Sequence, residues 1–184
     1  VGYDPFKAAD AMQRLTLVWP HAHMYRYLLA QASARMAGES DEWKESARTN
    51  FALALRLRNN DEVIRYSFEE FATAHLPLRS DERKELAGYH LQLGDFWYGR
   101  NHEMLAEISY RRAIRLDPYS KGARGHLARI SRRRQLNERY LGELELLAEI
   151  DRENTRLADT ITYYQNLVPR LPSRQRGIRQ YEVS

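Results

Sequence analysis

An all-α fold is predicted by three features of this 184-residue sequence. Ala, Leu, Arg and Glu are abundant whereas Gly and Pro number only 9 and 6, a mixture rich in helix formers and poor in breakers. Apolar residues recur three and four positions apart along most of the chain, the spacing of one helical face. No segment alternates apolar and polar with period two, so no sheet is expected. With 43% hydrophobic residues and interspersed charge, the composition is that of a folded protein, long enough for one domain or an array of small units.

The elements follow in order from their caps. Asp4-Pro5 offers an N-cap carboxylate and a proline at the first helical position, where its missing N–H costs nothing. A helix is therefore expected over 5–18, ending before Pro20. A second covers 22–37 and stops at Gly38. Ser40-Asp41-Glu42-Trp43 reads as the cap of a third, 45–57, with Ala47, Phe51, Ala54 and Leu57 as its stripe. Asn59-Asn60-Asp61 interrupts, a fourth helix over 62–75 ends at Leu76-Pro77, and Ser80-Asp81 caps a fifth that runs to Gly99. A sixth over 103–116 is closed by Asp117-Pro118. Further helices are expected over 120–134, 135–150 and 153–167, the last with Leu157, Ile161, Tyr164 and Val168 on one face. Neither Gly nor Pro separates the last two, so one long helix is the alternative. The helical domain is thus 1–168, and the basic tail 169–184, with Arg170, Arg174, Arg176 and Arg179 and no apolar stripe, is expected to be extended.

Helices of this length joined by short loops suit either a bundle or a stack of helical hairpins. Residues 87–120 decide between them. Leu93-Gly94, Trp97, Ala106, Tyr110, Ala113 and Pro118 resemble the tetratricopeptide repeat, a helix–turn–helix unit of about 34 residues. Small residues at Gly94 and Ala106 would let two helices cross closely, Trp97 and Tyr110 would fill the space beside them, and Ala113 would admit the next helix. The neighbours match more loosely. Ala8, Met12 and Leu15 before Pro20 fit a second helix, Leu29-Ala30 the Leu-Gly pair, and Ala47, Phe51 and Ala54 the following helix after an insertion around 38–41. Leu127-Ala128 keeps the period, with Tyr140 where Ala is expected and Arg152 in place of the closing Pro. The helix over 62–75 has no evident hairpin partner. The resemblance implies a right-handed superhelix of antiparallel helix hairpins, with 87–120 as its best repeat.

Charge is uneven. Residues 111–139 hold ten Arg and Lys against Asp117 and Glu138, a local +8 within a chain of net +4. Cysteine is absent, which excludes disulfides, thiolate metal sites and cysteine nucleophiles and leans toward a bacterial periplasmic or membrane-associated setting over the cytoplasm. No stretch reaches the ~20 apolar residues that span a bilayer. Lacking an initiator Met, Val1 is expected to begin a processed chain or an excised part of a longer one.

No catalytic constellation is legible. The six His are scattered, and His21 and His23 lack further ligands for a metal. Phosphate loops, dinucleotide fingerprints and nucleophile motifs are missing. Neither an enzyme nor a cofactor or metal site is therefore expected. What the resemblance implies instead is a concave surface lined by first helices that grips a peptide or partner helix. Carried over position by position, its lining would be Met24, Tyr27 and Gln31, then Gly88, Leu91, Asp95 and Tyr98, then Gly122, Gly125, Arg129 and Arg132, with Arg133 beside them. This set lacks the Lys and Asn combination with which family members clamp a terminal carboxylate, which argues against a chaperone-tail role. The expected function is a protein-interaction adaptor, possible in assembly of a bacterial envelope or membrane-associated complex, with a partner of acidic character. Units open at both ends also allow self-association. The alternative is a helical domain that binds nucleic acid or another polyanion through 124–139. Against it, no nucleic-acid module is recognised and helical spacing spreads the Arg around two helices, where Glu143, Glu145 or Glu149 could pair with them.

Overall fold

A computed structural model describes residues 4–170. Every regular element among them is helical. In chain order these are α1 (Pro5–Val18), α2 (His23–Arg35), α3 (Asp41–Leu57), α4 (Glu62–His75), α5 (Asp81–Gly99), α6 (Glu103–Leu116), α7 (Lys121–Arg133), α8 (Asn137–Ile150) and α9 (Thr155–Leu167). None of them is long and apolar enough to cross a membrane. The chain divides into two compact units, Val1–Leu86 and Ala87–Ser184.

Caps set most of the boundaries. The Asp4 carboxylate accepts from the Phe6 and Lys7 amides at 3.0 and 3.3 Å, and Asp61 does the same for Val63 and Ile64 at 3.1 and 3.2 Å. Ser40 and Ser120 hydroxyls accept from Trp43 and Ala123. Each satisfies amides that the first helical turn leaves without a partner. α3 consequently begins at Asp41, earlier than expected, so that Asp41 and Glu42 occupy the first turn, where the helix dipole favours carboxylates.

Two expectations are corrected, and one open choice is closed. Gln135 is not the start of α8. It takes φ 59° in the turn before it, where the Leu136 amide closes on the Ser131 carbonyl and caps the end of α7 in place of a glycine. α8 and α9 are separate helices, as expected, and not the single long helix of the alternative, because the polar run 151–154 forms a turn in which the Asn154 amide bonds the Asp151 carbonyl. Short polar side chains there compete with helix continuation without any Gly or Pro. Finally, the first tail residues are not extended: Val168–Arg170 form a short 3-10 turn with Val168 buried. Residues 171–184 lie outside the described part.

In the first unit α2 packs on α1, α3 and α4, and α3 packs on α4. Ala9, Leu29, Ala32 and Met36 form one buried cluster, with Ala8, Met12 and Trp43 against it. Small residues let α2 and α3 approach: Ala30, Ser33, Ala47 and Ala54 are fully buried, and the Ser33 and Ser46 hydroxyls bond across at 2.9 Å. α4 is not orphaned. Phe68 and Phe71 place their rings 5.5 and 5.6 Å from that of Phe51, and the buried Arg83 donates to the Leu76 carbonyl at the end of α4.

In the second unit α6 packs on α7, α7 on α8 and α8 on α9. A methyl built on Gly94 would stand 2.4 Å from Tyr110 Cε1, so α5 and α6 touch at a point that admits no side chain. Ala106 and Ala113 are fully buried. Tyr140, in the place where Ala is expected, is buried with Ala128 and Leu144 under Leu157, Ile161 and Tyr164.

Turn geometry repeats. Asn101, at φ 62°, precedes α6 as Gln135 precedes α8, 34 positions on, and the bond from His102 to Trp97 reappears from Leu136 to Ser131. The bonds Asp117 to Ala113 and Ser120 to Asp117 recur as Asp151 to Leu147 and Asn154 to Asp151. A similar turn opens α2 and α4, and in three of these turns an Arg reaches back six residues to a carbonyl: Arg26 to Pro20, Arg65 to Asn59 and Arg124 to Pro118. α4 therefore begins as α2 and α7 do.

Candidate partner-binding surfaces

Two surfaces gather residues suited to recognition, one in each unit. The first is a cleft of about 460 Å³ between α2 and α4. Ala34, Phe51, Phe71 and Ala74 give it an apolar lining, and Gln31, Tyr66, Ser67, Glu70 and His75 add polar groups. Gln31 Nε2 donates to the Tyr27 hydroxyl at 2.6 Å, and that hydroxyl lies 3.0 Å from Ser67 Oγ. The chain bridges α2 to α4 and fixes the width of the cleft. Met24, one turn before Tyr27, is exposed. Of the three positions expected in this unit, then, Gln31 lines the cleft, Tyr27 braces it, and Met24 stands on the same helix outside it. The half contributed by α4 was not foreseen, because a helix without an assigned partner has no assigned face.

The second surface is built on α5, α6 and α7. Tyr110, fully buried on α6, donates its hydroxyl proton to Asp95 Oδ1 at 2.8 Å. Its ring stacks on His126 of α7 at 4.7 Å and 6°, and His126 Nε2 lies 3.2 Å from the same carboxylate oxygen. Tyr98 stands 6.2 Å from the His126 ring. Burial pushes the Tyr110 phenol well above its ordinary range, and the Asp95 carboxylate adds to the effect. Burial likewise holds His126 below its ordinary 6.5; Asp95 opposes this and the Arg129 cation reinforces it. Neutral His126 can donate from Nε2 to Asp95, while its buried Nδ1 has no hydrogen-bond partner. Asp95 and Tyr98 both stand beside His126, and Leu91 packs on Gly122, where a methyl would stand 3.1 Å from Leu91 Cδ2. His126 was missed: a single His between Gly125 and Leu127 carries no signal until Asp95 is placed beside it.

This geometry has a pH consequence. His126 binds its proton less readily folded than unfolded, so its contribution to stability is complete above the unfolded pKa and is lost as pH falls through the folded one. Wild type should lose more thermal stability between about pH 7.5 and about pH 5.5 than His126→Gln, and parallel losses would refute the assignment.

The Arg-rich stretch is sorted by the fold. Arg111, Arg134 and Arg139 pair with Glu107 at 2.9, 2.6 and 3.2 Å, Arg133 pairs with Glu103 at 3.2 Å, Arg124 with Glu143 at 3.2 Å and Lys121 with Asp151 at 3.0 Å. Of the three carboxylates anticipated as partners, Glu143 alone pairs with a basic residue among the described residues; Glu145 accepts from Gln165. Glu103 and Glu107 precede the basic window in sequence and fold onto it. Arg129 and Arg132 are exposed, one turn apart on α7, and no carboxylate among the described residues pairs with either. Burial pushes the Tyr140 phenol up, and the Arg132 cation nearby opposes this.

Among the described residues no group of three or more His, Asp or Glu side chains converges as a metal site would. No protein-family model matches the chain, and no curated protein matches it either.

Proposed function

We propose that the chain is a non-enzymatic adaptor of tetratricopeptide-like architecture, a right-handed superhelix of helix hairpins that binds a protein or peptide partner on the surface formed by first helices. The recurrence of the same pair of turns 34 positions apart carries this reading, since a fixed period of that length is the signature of stacked hairpins. The side chains held between first helices support it: Tyr27 with Ser67, and Asp95 with His126. Preorganised in this way, they lower the ordering cost of docking. Arg129 and Arg132 favour an acidic group on the partner.

The polyanion reading is weaker, because four carboxylates from outside the basic window neutralise much of it through the pairs above. The test is the charge reversal Arg129→Glu with Arg132→Glu. Partners identified by mass spectrometry after capture on wild type should be retained about tenfold less by the variant, with helicity unchanged. Equal retention would overturn the reading, and so would a steep salt dependence of RNA or DNA binding, which belongs to the polyanion alternative.

A further inference from the structure

The corner between α1 and α2 carries a surface that partner binding in the clefts does not use. Leu17, Val18 and Trp19 are 79%, 65% and 52% exposed, and they are consecutive, at the end of α1 and its C-cap. Met24 and Leu28, also exposed, follow at the start of α2, and Tyr25 sets its ring 5.8 Å from that of Trp19. Scattered exposed apolar residues need no explanation, but a consecutive Leu-Val-Trp tip does.

Acidic side chains are sparse around the tip. Between Asp10 and Glu39 the sequence contains no Asp or Glu, and Arg14 and Arg26 fall near the corner, whereas Arg35, at the far end of α2, lines the cleft. Asp10 pairs with Arg14 at 2.9 Å and Asp61 with Arg58 at 3.8 Å, so neither pair carries net charge. Arg58 also comes within 3.5 Å of His23. The Arg26 guanidinium is held by neutral partners, the Pro20 carbonyl at 3.5 Å and Asn50 Oδ1 at 3.1 Å, so its charge is not cancelled there.

We propose that this corner is a peripheral anchor for an anionic lipid surface, with Leu17, Val18 and Trp19 entering the headgroup boundary and the uncancelled Arg26 charge drawn to the lipid phosphates. Trp suits that depth because its ring is apolar and its N–H stays wet. Short aliphatic insertion combined with basic attraction gives reversible attachment without a spanning helix. A protein groove or another hairpin could cover apolar residues too, but neither accounts for the absence of acidic side chains over the whole stretch.

Flotation of the chain with phosphatidylcholine vesicles, with and without phosphatidylglycerol, tests this. Binding is expected on the phosphatidylglycerol vesicles alone, to weaken as salt is raised, and to fall about tenfold or more in Leu17→Ser with Val18→Ser. Both positions are too exposed for the double variant to disturb folding, which circular dichroism checks. Failure to float with the anionic vesicles, equal flotation on uncharged ones, or unchanged binding of the variant would each overturn the proposal. A corner that serves a protein or a further hairpin gives the first of these results. The Arg129 and Arg132 reversal should leave flotation intact, which separates this surface from the adaptor surface.

Discussion

Replacing Phe51 by alanine is expected to cost the first unit about 4 kcal/mol, most of the stability a domain of this size holds. Phe51 is 2% exposed and sits where three helices meet. Its ring stacks on Phe68 at 5.5 Å and 17°, tilts against Phe71 at 5.6 Å, and faces Tyr27 at 6.3 Å. Truncation removes the transfer energy of the ring and the aromatic contacts on three sides, and the emptied space opens into the cleft. Phe51→Leu keeps most of the volume and should cost only about 1 kcal/mol. Tyr66→Ala, on the exposed rim of the same cleft, should stay within about 0.5 kcal/mol. Urea unfolding read by circular dichroism distinguishes these values. A loss under about 1 kcal/mol for the alanine variant would mean that α4 is not held by this ring.

What the sequence made legible was local. Asp4, Ser40 and Ser80 announce helix starts because a cap acts on amides two or three residues away. The Gly94, Tyr110 and Ala113 pattern is legible for a similar reason, since a hairpin brings together residues less than twenty positions apart. What stayed hidden was set by longer separations. Tyr27 finds Ser67, and Arg134 finds Glu103 and Glu107, across intervals that no periodicity encodes. The spacing therefore spread the basic window over two helices without showing which Arg are paired; among the described residues, Arg129 and Arg132 of its candidate contact residues have no carboxylate partner. Arg133, also named as a contact residue, is tied to Glu103. The breaks near 135 and 151–154 were placed to within a few residues, and their exact bounds stayed open because polar residues can end a helix as well as continue it, and hydrogen bonds in the turn decide.

Gly94→Ala is the second large effect, with an expected loss of about 2 kcal/mol in the unit that contains α6. The sign is not obvious, because alanine inside a helix ordinarily gains up to about 1 kcal/mol over glycine. Here the added methyl would fall 2.4 Å from Tyr110 Cε1 and 2.6 Å from Cδ1, both well inside contact distance. A flexible side-chain tip could swing away. The Tyr110 ring cannot, being fully buried, stacked on His126 at 4.7 Å and tethered through its hydroxyl to Asp95 at 2.8 Å. Gly142 is the control: nothing lies within 4 Å of its built methyl, so Gly142→Ala should show the propensity gain of about 0.5–1 kcal/mol without the clash. Gly122→Ala should fall between the two, since the atom it meets is the mobile end of Leu91. The cause can be isolated by combining Gly94→Ala with Tyr110→Leu, which shortens the obstructing ring. A coupling of about 1 kcal/mol or more between the two substitutions in thermal or urea unfolding would locate the clash at that ring, and simple additivity would remove the close α5–α6 contact from the account of how this hairpin is held.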